Sequence, residues 1–425
     1  MSTPLRVLIA TDSFPPVCGG SGWSTWELAR GLTRRGHHVE VVKVAAGSAS
    51  ALHEDRYEGC RVTTMTIRAP AVPAVRNLIK NEQLWRRLAR YLAAARLADG
   101  AFDIVHAQHV MTTVPAIRAG RQTGVPVVAT VRDYWPVCYW SDLIYDPDQP
   151  HLCDRCSTSM MTRCVRPRAG AAHLAAWPLI PYMRANLATK RQTLARADAL
   201  IAVSSAIARD LRARAPELQG TPMYTIPNPV DMSALDAAYA GAARPRPGRY
   251  VLYAGKLATN KGVQHLLPAI VQSGIDWPIV VAGDGPLRAS LEADARARGL
   301  DLHVLGWRSR PEVWAWMRHA TLLAFPSYGP ESLSRVLIEA AALATPIAAM
   351  ETGGTRDILT PGETGLLSTT PEGLARDLAA LAADERLRAS LGAAARADVH
   401  VRFSATSVVE RVEQVYRSLL LPAAA

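Results

Sequence analysis

Short β-branched runs alternate with longer helical stretches twice along this chain, and a proline-rich break separates the two halves. In the first half Arg6–Ala10, Val39–Val44, Ile104–His106 and Val127–Val131 read as strands, with helical patterns such as Thr25–Arg35 and Leu84–Ala98 between them. The second half repeats the theme with Tyr250–Ala254, Ile279–Ala282, Leu302–Leu305, Leu322–Phe325 and Pro346–Ala349 as strands. Its helices are expected near Val263–Gln272, Pro286–Arg298, Arg310–Arg318 and Leu333–Ala344. Bounded apolar strands that do not alternate in polarity are buried on both faces, which is the condition of parallel strands joined by helices. The expected class is therefore α/β, built as two doubly wound, Rossmann-like domains in tandem.

The break runs through Pro216, Pro222, Pro227, Pro229, Gly241, Pro245, Pro247 and Gly248, the chemistry of turns and linkers. It sets an N-terminal domain at 1–215 and a C-terminal domain at 222–403. The segment 404–425 has helical periodicity, with Val408, Val409, Val412, Val415 and Tyr416 in one stripe. Ligands of such sheets bind beyond the carboxyl ends of the strands. Functional residues are accordingly sought in the loops that follow each strand.

Composition narrows the function classes. With 49% hydrophobic and 20% charged residues the chain can bury enough apolar surface to fold, so intrinsic disorder is excluded. Six cysteines in 425 residues are too few for a disulfide scaffold. The formal charge is +11, and residues 1–220 hold 28 Lys+Arg against 17 Asp+Glu, whereas residues 221–425 hold 20 of each. Two readings account for this asymmetry: an anionic partner met by the first half, or an arginine-rich composition inherited from a GC-rich coding sequence. The apolar stretch Val7–Ala10 is too short for a secretory signal, and no run reaches the ~20 apolar residues that span a bilayer. The expected location is cytoplasmic, with peripheral contact to the inner face of the membrane through the basic N-terminal half.

After the first strand, Gly19-Gly20-Ser21-Gly22 leads into a helix expected to start near Ser24. A glycine-rich turn at a helix N-terminus offers bare backbone N–H groups to an anion. The dinucleotide pattern Gly-x-Gly-x-x-Gly fails here, because Trp23-Ser24-Thr25 follows Gly22, and no carboxylate stands at the end of the second strand. A nicotinamide enzyme is disfavoured.

The second half is more informative. Lys256 and Lys261 lie in the loop after one strand, Gly283-Asp284-Gly285 follows the next, and Glu331 and Glu339 flank a predicted helix start. At 1.5 Å rise per residue the two carboxylates stand about 12 Å apart along the axis, a separation that fits two hydroxyl-bearing parts of one elongated ligand. Free amides around Leu333, Ser334, Arg335 and Val336 offer a phosphate site between them. The plainer alternative is one capping and one surface glutamate. Ile338 and Ala340–Ala342 around Glu339 argue against a solvated face.

Phe14-Pro-Pro with Gly19-Gly20, Gly255-Lys-Leu with Lys261-Gly262, Pro326-Ser with Glu331 and Glu339-Ala, and Gly353-Gly354 together resemble the retaining GT-B glycosyltransferases of family 4 over nearly the whole chain. Arg34–Val39, Ala197–Ser204 and Ile226–Asp231 resemble that family too. The resemblance implies two Rossmann-like domains facing each other across a cleft, with the C-terminal helix crossing back to the N-terminal domain. It implies a nucleotide-diphosphate sugar as donor, with Glu339 on its ribose, Glu331 on its sugar, and Lys256 and Lys261 on its diphosphate. Amides of Ser334–Val336 and the Gly19-Gly20 loop would help. No catalytic cofactor is implied, since the basic pair takes the place of a metal. The acceptor would be a glycan or lipid-linked glycan of envelope or polysaccharide synthesis. Where many relatives carry a histidine before Asp133, this chain has Arg132, which can bind oxygens but cannot shuttle a proton at neutral pH. Arg132 is included in the catalytic set on that basis, while His106 and His109 are read as structural.

Cys138, Cys153, Cys156 and Cys164 cluster in an insertion of about 136–185. Cys153-x2-Cys156 is a zinc-knuckle spacing, and the four thiolates are expected either as a structural zinc site or as reduced thiols. Trp177, Tyr182, Arg184, Lys190 and Arg191 follow, a composition that suits either a bilayer interface or buried helix packing. Two other functions stay open: a sugar-nucleotide epimerase of the same fold, and a basic nucleic-acid-binding protein. Neither is preferred, the latter because the arginines are scattered and no recognition motif is present.

Overall fold

The structure is a computed structural model that describes residues 3–47, 49–69, 79–146 and 151–421. It divides into two compact units. The first comprises Met1–Ser141, Pro178–Val230 and Ala405–Ala425, and the second comprises Asp142–Trp177 and Asp231–Ser404. No helix among the described residues is long and apolar enough to cross a membrane.

In chain order the strands begin with β1 (Arg6–Thr11), β2 (His38–Gly47), β3 (Ala51–Tyr57), β4 (Cys60–Arg68), β5 (Ile104–Ala107) and β6 (Val127–Val131). Next come β7 (Ile144–Asp146), β8 (His151–Leu152), β9 (Ala199–Ala202) and β10 (Met223–Thr225). The series ends with β11 (Val251–Ala254), β12 (Ile279–Ala282), β13 (Leu302–Gly306), β14 (Leu322–Phe325), β15 (Ile347–Met350) and β16 (Leu366–Ser368).

The first unit is built on an eight-stranded sheet in the order β10-β9-β6-β5-β1-β2-β4-β3. All neighbours are parallel except β3, which lies antiparallel on β4. Strands β5, β6 and β9 are buried along their whole length, as doubly covered parallel strands must be. The C-terminal helix Ala405–Leu420 completes this core: Val408, Val409, Val412, Val415 and Tyr416 join the cluster of Val7, Ile9, Trp26 and Leu32. A Cβ on Gly31 of the helix Gly20–Arg34 would stand 2.6 Å from Val409 Cγ2, so the two helices meet at closest approach there. Arg35 donates to Glu413 at 2.6 Å, and Tyr416 hydroxyl meets His106 Nδ1 at 2.5 Å. After its earlier excursion at Asp142–Trp177, the chain leaves the first unit again after Val230, completes the second, and returns at Ala405, whose N–H donates to Val230 O. Residues 422–425 of the expected C-terminal helix lie outside the described residues.

The second unit holds a six-stranded parallel sheet in the order β13-β12-β11-β14-β15-β16. Its core gathers Val251, Leu266, Leu267, Ile270, Ile279, Leu322, Leu374 and Leu378, all fully or almost fully buried. The short ribbon β7–β8 and the helix Thr158–Ala169 also fall in this unit. Arg168 ties the two together, donating to Asp142 Oδ2 at 2.8 Å and to Ile144 O at 2.7 Å.

Three of the expected strands, at Val127–Val131, Ile279–Ala282 and Leu322–Phe325, have the bounds expected. The two sheets also contain strands that lack the apolar-run signature. β3 is exposed along nearly its whole length and pairs only as an antiparallel edge, so nothing selects apolar residues there. β10 and β16 are three residues each.

Candidate functional site

In the second unit the strand order reverses between β11 and β14, which makes their carboxyl ends the crevice where open α/β sheets bind ligands. Gly255 and Lys256 follow β11, and Pro326 and Ser327 follow β14. Two glycines bring these loops together. Gly262 has φ +66°, and a Cβ there would stand 1.8 Å from Pro326 O. Gly353 has φ +51°, and a Cβ there would stand 2.0 Å from Glu331 O. Only a residue without a side chain meets both demands, the left-handed backbone and the contact. The N–H of Gly354 then donates to Glu331 O at 2.7 Å, which fixes the Glu331 backbone.

Glu331 is 7% exposed. Its Oε1 accepts from Lys261 Nζ at 2.5 Å and from Ser327 hydroxyl at 2.5 Å. Oε2 makes no hydrogen bond among the described residues, so half of the carboxylate stays available as an acceptor. Tyr253 lies beneath; burial, and then the Glu331 carboxylate, pushes its phenol well up, so it stays neutral. Its hydroxyl donates to Lys256 O at 2.9 Å and shapes the lysine loop. The Lys256 side chain is exposed and makes no ion pair among the described residues.

Glu339 lies within the helix Arg335–Ala342, which is shorter at both ends than the expected Leu333–Ala344. Ser334 caps it, accepting from Leu337 N–H. Leu333 and Ser334 are buried ahead of the first turn, and the amides of Arg335 and Val336 lie where no intrahelical acceptor exists. The Glu339 carboxylate is 6% exposed as a residue and held by three donors. Arg335 Nε donates to Oε1 at 2.7 Å, Arg310 Nη2 to Oε1 at 3.3 Å, and Trp314 Nε1 to Oε2 at 2.9 Å. Arg310 also stacks 4.7 Å from the Trp314 ring centroid. Neither partner was singled out from sequence. Their signal was an Arg and a Trp four apart on one helix face, with nothing local to link them to a glutamate 25 residues beyond Trp314.

In the first unit the residues after β1, β5 and β6 gather polar groups. The helix Gly20–Arg34 starts four residues earlier than expected, so Gly19 is its N-cap and Gly20 its first residue. Arg132, after β6, is 8% exposed and donates to the side-chain oxygen of Gln108, after β5. His109 Nδ1 lies 2.9 Å from Thr11 Oγ1 and 3.3 Å from Asp12 Oδ1. His106 is enclosed between Tyr416 hydroxyl and Thr130 hydroxyl at 2.5 and 2.7 Å. Burial, with Arg132 adding to it, brings both histidines down to about 3, so both are neutral imidazoles. Asp133 moves the other way: burial raises it to about 6, although the Trp135 N–H, Lys190 and Ser141 favour its charge.

Of the two alternatives for Cys138, Cys153, Cys156 and Cys164, the zinc site finds no support among the described residues, and none of the four is in a disulfide. Cys138 falls in the first unit and Cys153, Cys156 and Cys164 in the second. Among the described residues no group of three or more His, Cys, Asp or Glu side chains could hold a metal ion.

Two family models match the chain: Glycosyltransferase Family 4 over residues 18–234 and Glycosyl transferases group 1 over residues 241–398. A D-inositol 3-phosphate glycosyltransferase from Xylanimonas cellulosilytica is 29% identical over 401 residues, which is 89% of this chain and 87% of that protein. Sucrose-phosphate synthase from Thermosynechococcus elongatus superposes with a TM-score of 0.73 at 20% identity, covering 98% of this chain and 99% of that one. Anabaena HepE in complex with UDP-glucose gives a TM-score of 0.66 at 18% identity over 97% of this chain and 100% of that one. The folds agree with the two parallel-sheet units described above, and the first family match spans half of the chain. The chain belongs to glycosyltransferase family 4 and is a glycosyltransferase of the GT-B fold.

Proposed function

We propose that this glycosyltransferase takes its sugar from a nucleoside-diphosphate sugar bound at the β11–β14 crevice and transfers it with retention to an acceptor hydroxyl. The observation that carries the reading is the Lys261–Glu331 pair at the strand-order reversal, with Glu339 two turns further along. Glu331 Oε2 accepts from hydroxyls of the donor sugar. Glu339, oriented by Arg335, Arg310 and Trp314, offers its remaining lone pairs to the ribose hydroxyls. Lys256, Lys261 and the amides at Ser334–Val336 stabilise the diphosphate as its bond to the anomeric carbon breaks. Fixed donors aimed at developing charge are usually the largest catalytic contribution.

Retention follows if the acceptor oxygen attacks from the face the diphosphate leaves. The bond from the anomeric carbon to the phosphate oxygen breaks, the bond to the acceptor oxygen forms, and the acceptor proton passes to the departing phosphate. Such a step uses no protein nucleophile and no histidine base, in keeping with an arginine at position 132. The similarity to HepE in complex with UDP-glucose supports a nucleotide-sugar donor.

A thermal-shift titration with UDP, GDP and ADP tests the reading, because a ligand that binds only the folded state raises Tm. One nucleotide is expected to raise Tm in the wild type, and the rise is expected to shrink in Lys261→Ala and Glu339→Ala. Full transfer activity in Glu331→Ala, Lys261→Ala and Glu339→Ala would overturn it.

A further inference from the structure

The helix Ile180–Leu194 of the first unit buries a polar stripe that the donor chemistry does not use. Asn186 is 4% exposed, and both its side-chain oxygen and nitrogen are buried with no hydrogen-bond partner. Lys190, one turn further on the same face, is 5% exposed and makes no hydrogen bond or ion pair among the described residues. Its ammonium sits 5.4 Å from the centroid of the Tyr139 ring. Asp133 is close enough to favour the lysine charge, yet its carboxylate already accepts from Trp135 N–H at 2.8 Å and from Ser141. Burial pushes the lysine down to about 8, with Asp133 and Cys138 opposing, which leaves it largely cationic at neutral pH.

Buried polar groups in folded proteins are hydrogen-bonded almost without exception, and a buried cation is paired. The Asn186 amide breaks that rule, and the Lys190 ammonium one turn on faces only the Tyr139 ring and the charge of Asp133. Between them they present five N–H donors, two from Asn186 and three from Lys190. The stripe stands beside the turn Asp133–Ser141, which leaves the carboxyl end of β6, an end where open α/β sheets place ligands.

We infer that Asn186 and Lys190 form a binding site for an anionic substituent, a phosphate or a carboxylate, on the acceptor. The donor-rich pair takes the anionic oxygens, and Tyr139 walls the site as an apolar face for the carbon skeleton. Calling the ligand an acceptor rests on the glycosyl-transfer reading; the anion site itself does not. Lys190 is here a specificity-determining residue and leaves bond-making to the donor site.

The test is calorimetric titration of the full chain in a Lys256→Ala/Lys261→Ala background, so that the diphosphate site cannot supply the signal. Three probes share one ring: glucose 6-phosphate, glucuronate and glucose. The anionic probe whose group fits is expected to bind more tightly than glucose, and the choice between phosphate and carboxylate identifies the source. Lys190→Met and Asn186→Asp are expected to weaken it about tenfold or more, while Lys190→Arg retains most of the affinity. Lys190→Met is also expected to leave Tm unchanged or higher, since it replaces a buried cation by an unbranched apolar chain only one atom shorter. Equal affinity for the three probes, unchanged anion affinity in Lys190→Met, or a Tm drop of several degrees in that variant would overturn the inference. Failure of the donor reading shows separately, as a wild type that binds no nucleoside diphosphate.

Discussion

The Lys261 ammonium donates to Glu331 Oε1 at 2.5 Å, across 70 residues of sequence, and Ser327 hydroxyl donates to the same oxygen. Both bonds fall on one oxygen and leave the other without a hydrogen bond among the described residues. Glu331→Gln keeps the shape and removes the charge, leaving Lys261 without its partner. Transfer activity, measured as kcat/KM, is expected to fall about 10²–10³-fold, the loss typical of removing one preorganised electrostatic contact. In a double-mutant cycle with Lys261→Met the two losses are expected to fall well short of adding, because each variant breaks the same pair.

Glu339 neutralises two arginines in a buried setting. Glu339→Gln strands Arg335 and Arg310 opposite a neutral amide, and a buried pair broken on one side costs about 3 kcal/mol. The expected result is a Tm lower by roughly 5–10 °C together with weaker nucleotide binding. Calorimetry and nucleotide titration of the same preparation check both.

The glycines that close the loops can be told from those that only turn. Gly262→Ala and Gly353→Ala put a Cβ within 2.0 Å of a backbone oxygen and are expected to lose nucleotide binding. Gly299 has a similar φ of +67° but nothing within 4 Å of its Cβ. Gly299→Ala is expected to cost only about 1–2 kcal/mol, the strain of the left-handed backbone alone, with nucleotide affinity intact.

His106 and His109 give the fold an acid-sensitive core. Their native values near 3 lie below the ordinary ~6.5, so between those limits the unfolded chain takes up protons that the folded chain does not. Stability is therefore complete above about pH 6.5 and declines as pH falls toward 3. A plot of Tm against pH is expected to slope down through that window, and less steeply in His106→Gln.

Tyr416 closes the first unit from the far end of the chain. Tyr416→Phe leaves His106 Nδ1 without its partner in a fully buried place, at an expected cost of about 1–3 kcal/mol. Denaturant melts followed by tryptophan fluorescence would show it as a lower midpoint with an unchanged slope.

Much of the architecture was legible because parallel strands write themselves as short apolar runs. Val127–Val131 and Ile279–Ala282 are bounded on both sides and buried throughout, so local composition is enough to find them. Edge strands leave no such trace: β3 is exposed and held only by pairing with β4. The positions of Lys261 and Glu331 after strands, and of Glu339 on the helix that follows, came from the same pattern.

The sequence by itself determined the α/β alternation, the proline-rich break and the placing of charged residues at strand ends, since these depend on periodicity and neighbours along the chain. Only the tertiary structure decided which charges meet. It set Lys261 and Ser327 on one oxygen of Glu331, and gave Glu339 to Arg335, Arg310 and Trp314. It also buried Asn186 with neither its amide oxygen nor its nitrogen paired, one turn from the buried Lys190. The reason is physical. Pairing and burial depend on distances between residues far apart in sequence, and strand order, helix packing and two tight glycine contacts set those distances, none of which a local pattern encodes.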